Sequence, residues 1–153
     1  MSIWGKSDHG EEVSWLLLFV HMADSVGVAE KLWDEWLPRG TREIVSNSVG
    51  GDVDLARRLY CFLAGSHDIG KATPIFQVQT WGFGSEEDAG LAWKPEKAGL
   101  PLRYELCGRH RPSHPIAGET ILNAYLAERF GWNERMAHSL TCIVGGHPGN
   151  PVS

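Results

Sequence analysis

Between Val13 and Leu37, the residues Leu16, Val20, Ala23, Val26 or Gly27, Glu30 and Trp33 recur at three- and four-residue steps. That spacing predicts one stripe of a long amphipathic helix. Pro38, Gly40 and Thr41 end it, and a short helix is expected over 41–47 before the breaker Gly50-Gly51. Asp52 is a natural N-cap for a helix whose stripe is Ala56, Leu59, Tyr60 and Leu63, running into Ala64-Gly65-Ser66-His67-Asp68-Ile69-Gly70-Lys71. Thr73-Pro74 opens a further turn through Ile75 to Thr80. Periodicity then fades: residues 81–112 hold five glycines and three prolines, which predicts a long loop or insertion, packed down by Trp81 and Trp93. Ser113 can cap a helix with Pro115 in its first turn and Ala117, Ile121, Leu122, Tyr125 and Leu126 buried, up to Phe130. A last helix starts at Asn133, passes Met136, Leu140, Ile143 and Val144, and stops at Gly145-Gly146. With no internal repeat and no strand alternation, the expected class is all-α.

The 153 residues suit a single domain, and 42% apolar with 22% charged residues is a globular composition. The net charge of −5 has the wrong sign for a broad basic face, so any DNA contact is local or supplied by a partner. Three cysteines, without CxxC spacing, indicate neither a disulfide framework nor a thiolate zinc site; a reducing cytoplasmic location is expected. The longest apolar run, Trp15 to Val20, is far short of the roughly 20 residues of a membrane span. Asp8, Glu11 and Glu12 precede it where a secretory leader would be basic.

Candidate chemistry lies in the histidines. His21 is mid-helix, His67 stands beside Asp68 at a helix end, His114 is in the first turn of a later helix, and His147 follows a double glycine. Neutral imidazole and carboxylate together suit divalent transition metals, and one Asp can bridge two ions. Two ions about 3.5–4 Å apart can clamp the attacking and leaving oxygens of a phosphodiester. Taken singly, His21 reads more readily as a core histidine and His147 as a loop residue.

His67-Asp68-Ile69-Gly70-Lys71-Ala72-Thr73-Pro74-Ile75-Phe76-Gln77 resembles the HDxGKxxxxFQ motif of the HD nuclease domain found at the N-terminus of the CRISPR-associated nuclease-helicase of type I systems. Ile3-Trp4-Gly5-Lys6-Ser7 is similar to that family's opening. His21-Met22-Ala23-Asp24 with Val28-Ala29 and Leu32-Trp33 resembles its first ligand helix, His114-Pro115-Ile116-Ala117-Gly118 its HxxAG element, and Gly145-Gly146-His147-Pro148-Gly149 its GGHHG element. The resemblance implies an HD-domain helical bundle, with residues 1–153 as one HD-type domain, the N-terminal portion of the family's nuclease domain.

It further implies that His21, His67 and Asp68 bind a first metal and that Asp68 bridges to a second held by His114 and His147. Lys71 would meet a substrate phosphate or support the site. One or two ions of Mn, Fe, Co or Ni are implied, acting on single-stranded DNA together with a helicase portion and a CRISPR surveillance complex. Two departures stand out: Pro148 replaces the second histidine of GGHH, and the family's later aspartate is not reached by Ser153. A second reading is therefore a catalytically impaired relative that docks on the surveillance complex or the nuclease-helicase and regulates interference. A third, an HD nucleotide phosphohydrolase, fits Phe76-Gln77 and Gly145-Gly146-His147 less well. If the domain continues past Ser153, Leu140, Ile143 and Val144 are expected to be partly exposed.

Overall fold

The computed structural model describes residues 3–9, 13–78, 93–106 and 113–146. The chain holds an antiparallel hairpin of β1 (Trp4–His9) and β2 (Val13–Leu17), paired from Lys6 opposite Leu16 to His9 opposite Val13, with the register shifting by one residue before Trp4 opposite Leu17. The helix expected from Val13 therefore begins only at Leu18. A partner strand separated from it by only three residues supplies hydrogen bonds for residues 13–17, and this pairing outcompetes the helical stripe. Gly5 permits this arrangement, because a Cβ there would lie 2.9 Å from the Cα of Leu18.

Helix α1 (Leu18–Lys31) continues as a π-helical turn, Leu32–Trp36, and is followed by α2 (Arg39–Ser48), close to the predicted 41–47. The buried stripe is Leu18, His21, Ala29 and Trp33, while Val20, Ala23 and Gly27 face outward. The apolar stripe expected from spacing is thus rotated, because a polar residue, His21, occupies the inward face. Gly50 and Gly51, at φ 78° and 87°, turn the chain into α3 (Val53–Ser66), capped as expected by Asp52 accepting from the Leu55 amide at 2.9 Å. Trp33 meets Tyr60 at a ring separation of 5.5 Å and joins α1 to α3. Arg57 adds a forked pair to Asp34, at 2.9 and 2.8 Å.

A 3₁₀ turn, Ile69–Ala72, leads into the single helical turn α4 (Pro74–Gln77). Of the predicted loop over 81–112, residues 81–92, with Trp81, and 107–112 lie outside the described residues. Residues 93–97 form α5, and Tyr104–Leu106 a 3₁₀ turn. Trp93 does not pack down: it is 54% exposed, and Lys94 instead holds the segment, its ammonium 3.7 Å from the Trp15 ring centre.

The last two helices, α6 (His114–Phe130) and α7 (Glu134–Gly145), pack as a pair joined at Gly131, φ 68°. Their buried positions are Pro115, Gly118, Leu122 and Leu126 with Ala137, Thr141, Val144 and Gly145. Ile121 and Tyr125, expected inside, are exposed, because the seam of α6 is set by the close approach of Gly118 to Gly70. On α7 Ile143 is exposed and Leu140 half-buried, whereas Val144 is buried against Gly118. The fold is all-α with one small hairpin, and no described helix is long and apolar enough to cross a membrane.

Gln77 ties the two ends of this arrangement together. Fully buried, it accepts from the Trp4 amide (3.2 Å) and donates to the carbonyls of Trp4 (2.8 Å) and Lys71 (2.7 Å), while its own carbonyl accepts from the Trp4 indole at 3.4 Å. Gln77→Ala leaves three buried backbone groups unpaired, and we expect a loss of about 2–4 kcal/mol in urea unfolding. A loss below about 1 kcal/mol would show that water replaces these bonds without cost.

Candidate metal centre

Asp68 stands between the end of α3 and the 3₁₀ turn, 2% exposed. Oδ2 receives three groups: His21 Nε2 at 2.8 Å, His67 Nε2 at 3.2 Å and Lys71 Nζ at 2.7 Å. Oδ1 faces His114 Nε2 at 3.1 Å, yet among the described residues no hydrogen bond of acceptable direction reaches this buried oxygen. A buried carboxylate oxygen in that state is a cost to the fold that a cation can remove.

His67 supplies the complementary half. Its Nδ1 lies 2.7 Å from the Ala64 carbonyl, which can only accept, so Nδ1 carries the proton. In the neutral ring Nε2 is then a lone pair aimed at a carboxylate, which repels unless a proton or a metal lies between them. A ligating histidine is commonly held by such a bond from its other nitrogen. Among the described residues, ligand atoms of His21, His67 and Asp68 all lie within 4.8 Å of one another, and the donor set fits a divalent transition metal.

The other expected residues fall as follows. His114 is brought to Asp68 by the contact of Gly70 with α6, where a Cβ on Gly70 would overlap the His114 carbonyl. Its ring stands edge-on to Phe76 at 5.6 Å. Lys71 is no surface lysine: 13% exposed, it donates to Asp68 and, at 3.1 Å, to the Gly5 carbonyl. His147 and Pro148 lie outside the described residues. The end of α7 is backed by Glu119, whose carboxylate packs on Gly145 and pairs with His138 at 2.8 Å, a contact that spacing did not suggest.

Burial pushes the Asp68 carboxyl up, but bonds from His67 and Lys71 and the charge of Lys71 outweigh it and hold Asp68 well below the usual carboxylate range. The bond with Asp68 raises His67 above imidazole's usual 6.5, against the lowering effect of burial. A groove of about 480 Å³ opens beside His21 and His67, between α1 and α3.

This placement of a His-Asp pair at a helix end, with histidines arriving from two other helices, coincides with a sequence match over residues 4–153 to the family described as Cas3, HD domain. The chain belongs to the Cas3 HD domain family. It is 35% identical over 96% of its length to the CRISPR-associated nuclease/helicase Cas3 of Streptococcus thermophilus and 31% identical over its whole length to the CRISPR-associated endonuclease/helicase Cas3 of Thermus thermophilus. It covers only 16% and 15% of those two proteins. A solved structure titled as a CRISPR-associated protein superposes with a TM-score of 0.79 over 95% of this chain and 15% of the other, at 33% identity.

Two outcomes follow from the geometry of this Cas3 HD domain. Calorimetry with Mn²⁺, Co²⁺ or Ni²⁺ should show at least one ion bound per chain, lost in Asp68→Ala; binding unchanged in that variant would place the ion elsewhere. The second outcome concerns pH. His67 is raised, so its contribution to the metal-free fold is complete below 6.5 and fades as pH climbs through the folded value; Asp68 is lowered, so its contribution is present above 3.8 and fades as pH falls. A metal needs His67 neutral, so its stabilisation runs the other way. Thermal melts from about pH 6 to 8 should therefore fall with pH in chelator and rise with pH in Ni²⁺, and parallel slopes would remove His67 from the ligands.

Proposed function

We propose that this chain is a metal-dependent nuclease domain acting on single-stranded DNA in CRISPR interference, with residues 1–153 forming the N-terminal portion of an HD nuclease domain. The observation that carries the reading is Asp68, a buried carboxylate with one oxygen engaged by His21, His67 and Lys71 and the other left to His114 without a hydrogen bond. His21, His67 and Asp68 would hold one divalent ion of Mn, Fe, Co or Ni, and Asp68 with His114 and His147 would hold a second. Bound ions supply Lewis acidity toward a phosphoryl oxygen and make water a stronger nucleophile at neutral pH. Hydrolysis then joins a water oxygen to phosphorus and releases the deoxyribose 3′ or 5′ oxygen as an alcohol.

The chain's own residues have definite tasks in this reading. Among the described residues Lys71 commits two of its three N–H donors, to Asp68 and Gly5, and the third would meet a non-bridging phosphate oxygen. The Ala64 carbonyl fixes the tautomer of His67, and Phe76 limits the rotation of the His114 ring. With a net charge of −5 the domain has no broad excess of positive charge to concentrate DNA, so its own contacts are local, which fits delivery by a helicase portion and a surveillance complex.

Circular single-stranded DNA incubated with the chain and Mn²⁺ or Ni²⁺ should be cut, and Asp68→Ala should reduce cutting to background. Lys71→Ala should lower the rate by roughly 10²-fold while ion binding persists. No cutting by the parent chain, together with undiminished competition of Asp68→Ala for a DNA-bound surveillance complex, would replace the nuclease reading with the docking one.

A further inference from the structure

The groove between α1 and α3 shares His21 and His67 with the candidate metal centre, yet nothing in the hydrolysis just described occupies it. Its volume of about 480 Å³ falls within the roughly 300–1,000 Å³ of small-molecule sites. Val28, Leu32, Tyr60 and Ala64 make its walls largely apolar, and Asp24, one helical turn beyond His21, adds a carboxylate. We propose that this groove is a nucleobase subsite, taking the base adjacent to the scissile phosphodiester, with Asp24 as acceptor for an exocyclic amino group. The identity of the polymer rests on the nuclease reading above.

Three observations point to a base. A phosphate drawn to an ion on His21 and His67 would bring its sugar and base to the groove, because the same two imidazoles line both spaces. A second phosphate is a poor occupant, since the largely apolar walls do not solvate it and Asp24 offsets the charge of Lys6, the one lysine on the lining. A purely aliphatic group would leave the polar part of the lining, Asp24 and Lys6, facing hydrocarbon. A base satisfies both features: its faces cover the apolar walls, and the amino group of cytosine or adenine can give a hydrogen bond to a carboxylate, the pairing that aspartate makes with cytosine N4 elsewhere. Tyr60 is steadied for this by its contact with Trp33.

The test uses the whole chain with Ni²⁺ at low salt and three fluorescent hexamers carrying equal phosphates: oligo-dC, oligo-dT and an abasic strand. Wild type should bind oligo-dC about tenfold or more tightly than the abasic strand. Val28 is 59% exposed, so Val28→Trp can fill the groove without touching the core; it should bring oligo-dC down to the abasic affinity while leaving Ni²⁺ stoichiometry unchanged. Asp24→Asn should shift the ratio of oligo-dC to oligo-dT binding by roughly fivefold toward oligo-dT. Equal binding of oligo-dC and the abasic strand by wild type, or a Val28→Trp chain that binds oligo-dC normally, would overturn the subsite. Base-dependent binding without cleavage would support the groove and overturn the nuclease reading, whereas cleavage without base dependence would overturn the groove alone.

Discussion

A carboxylate that is 2% exposed has lost nearly all of its hydration, and such a charge survives in a fold only when cationic or hydrogen-bonding groups replace the water. For Asp68 the replacements come from four stretches of chain. His21 arrives from α1, His67 from the end of α3, Lys71 from the 3₁₀ turn and His114 from the start of α6. The arrangement is lopsided, because three groups crowd Oδ2 while Oδ1 is left under-satisfied. The protein alone thus balances the charge without completing the hydrogen bonding, and a divalent ion would complete it.

The surrounding packing serves that convergence. Gly70 and Gly118 let the 3₁₀ turn and α6 approach until backbone meets backbone, with the Gly118 Cβ position 3.3 Å from the Gly70 amide. Without that approach the first turn of α6 would stand off and His114 would miss Asp68. On the opposite side β1 supplies the Gly5 carbonyl to Lys71, and Gln77 binds β1 through both polar groups of Trp4's backbone. The hairpin is a minor part of the secondary structure, but it positions the ammonium that faces the buried carboxylate.

Much of the helical frame is legible in the sequence for local reasons. Asp52 and Asn133 cap α3 and α7, each accepting an amide at 2.9 Å, and Gly131 ends α6 in the left-handed conformation. What local patterns missed depends on distant partners. The strand at 13–17 exists because residues 4–9 pair with it, and the inward face of α1 is chosen by the bond of His21 to Asp68 rather than by apolar spacing. The residues that gather around Asp68 were themselves readable as motifs. That Oδ1 of Asp68 has no hydrogen bond among the described residues, that Lys71 is half-buried and that Gln77 is a structural bolt are matters of geometry that no motif states. Asp24 stood in the quoted helix motif without a task, since a groove wall has no linear signature.

The span of the contacts at Lys71 and Gln77 bears on the order in which the molecule can assemble. Lys71 reaches back 66 residues to Gly5, and Gln77 reaches back 73 to Trp4. Long loops of this kind close at an entropic cost that grows only slowly with length, but they bring no gain until both ends are already shaped. The hairpin and α1 are contiguous, so the surface carrying Gly5 and His21 can form from nearby residues, and the helix carrying His67 and Asp68 can then dock upon it. His114 joins from a segment 46 residues further along than Asp68. Nucleation in the N-terminal half, with α6 and α7 closing over a half-built centre, is the assembly route this topology favours.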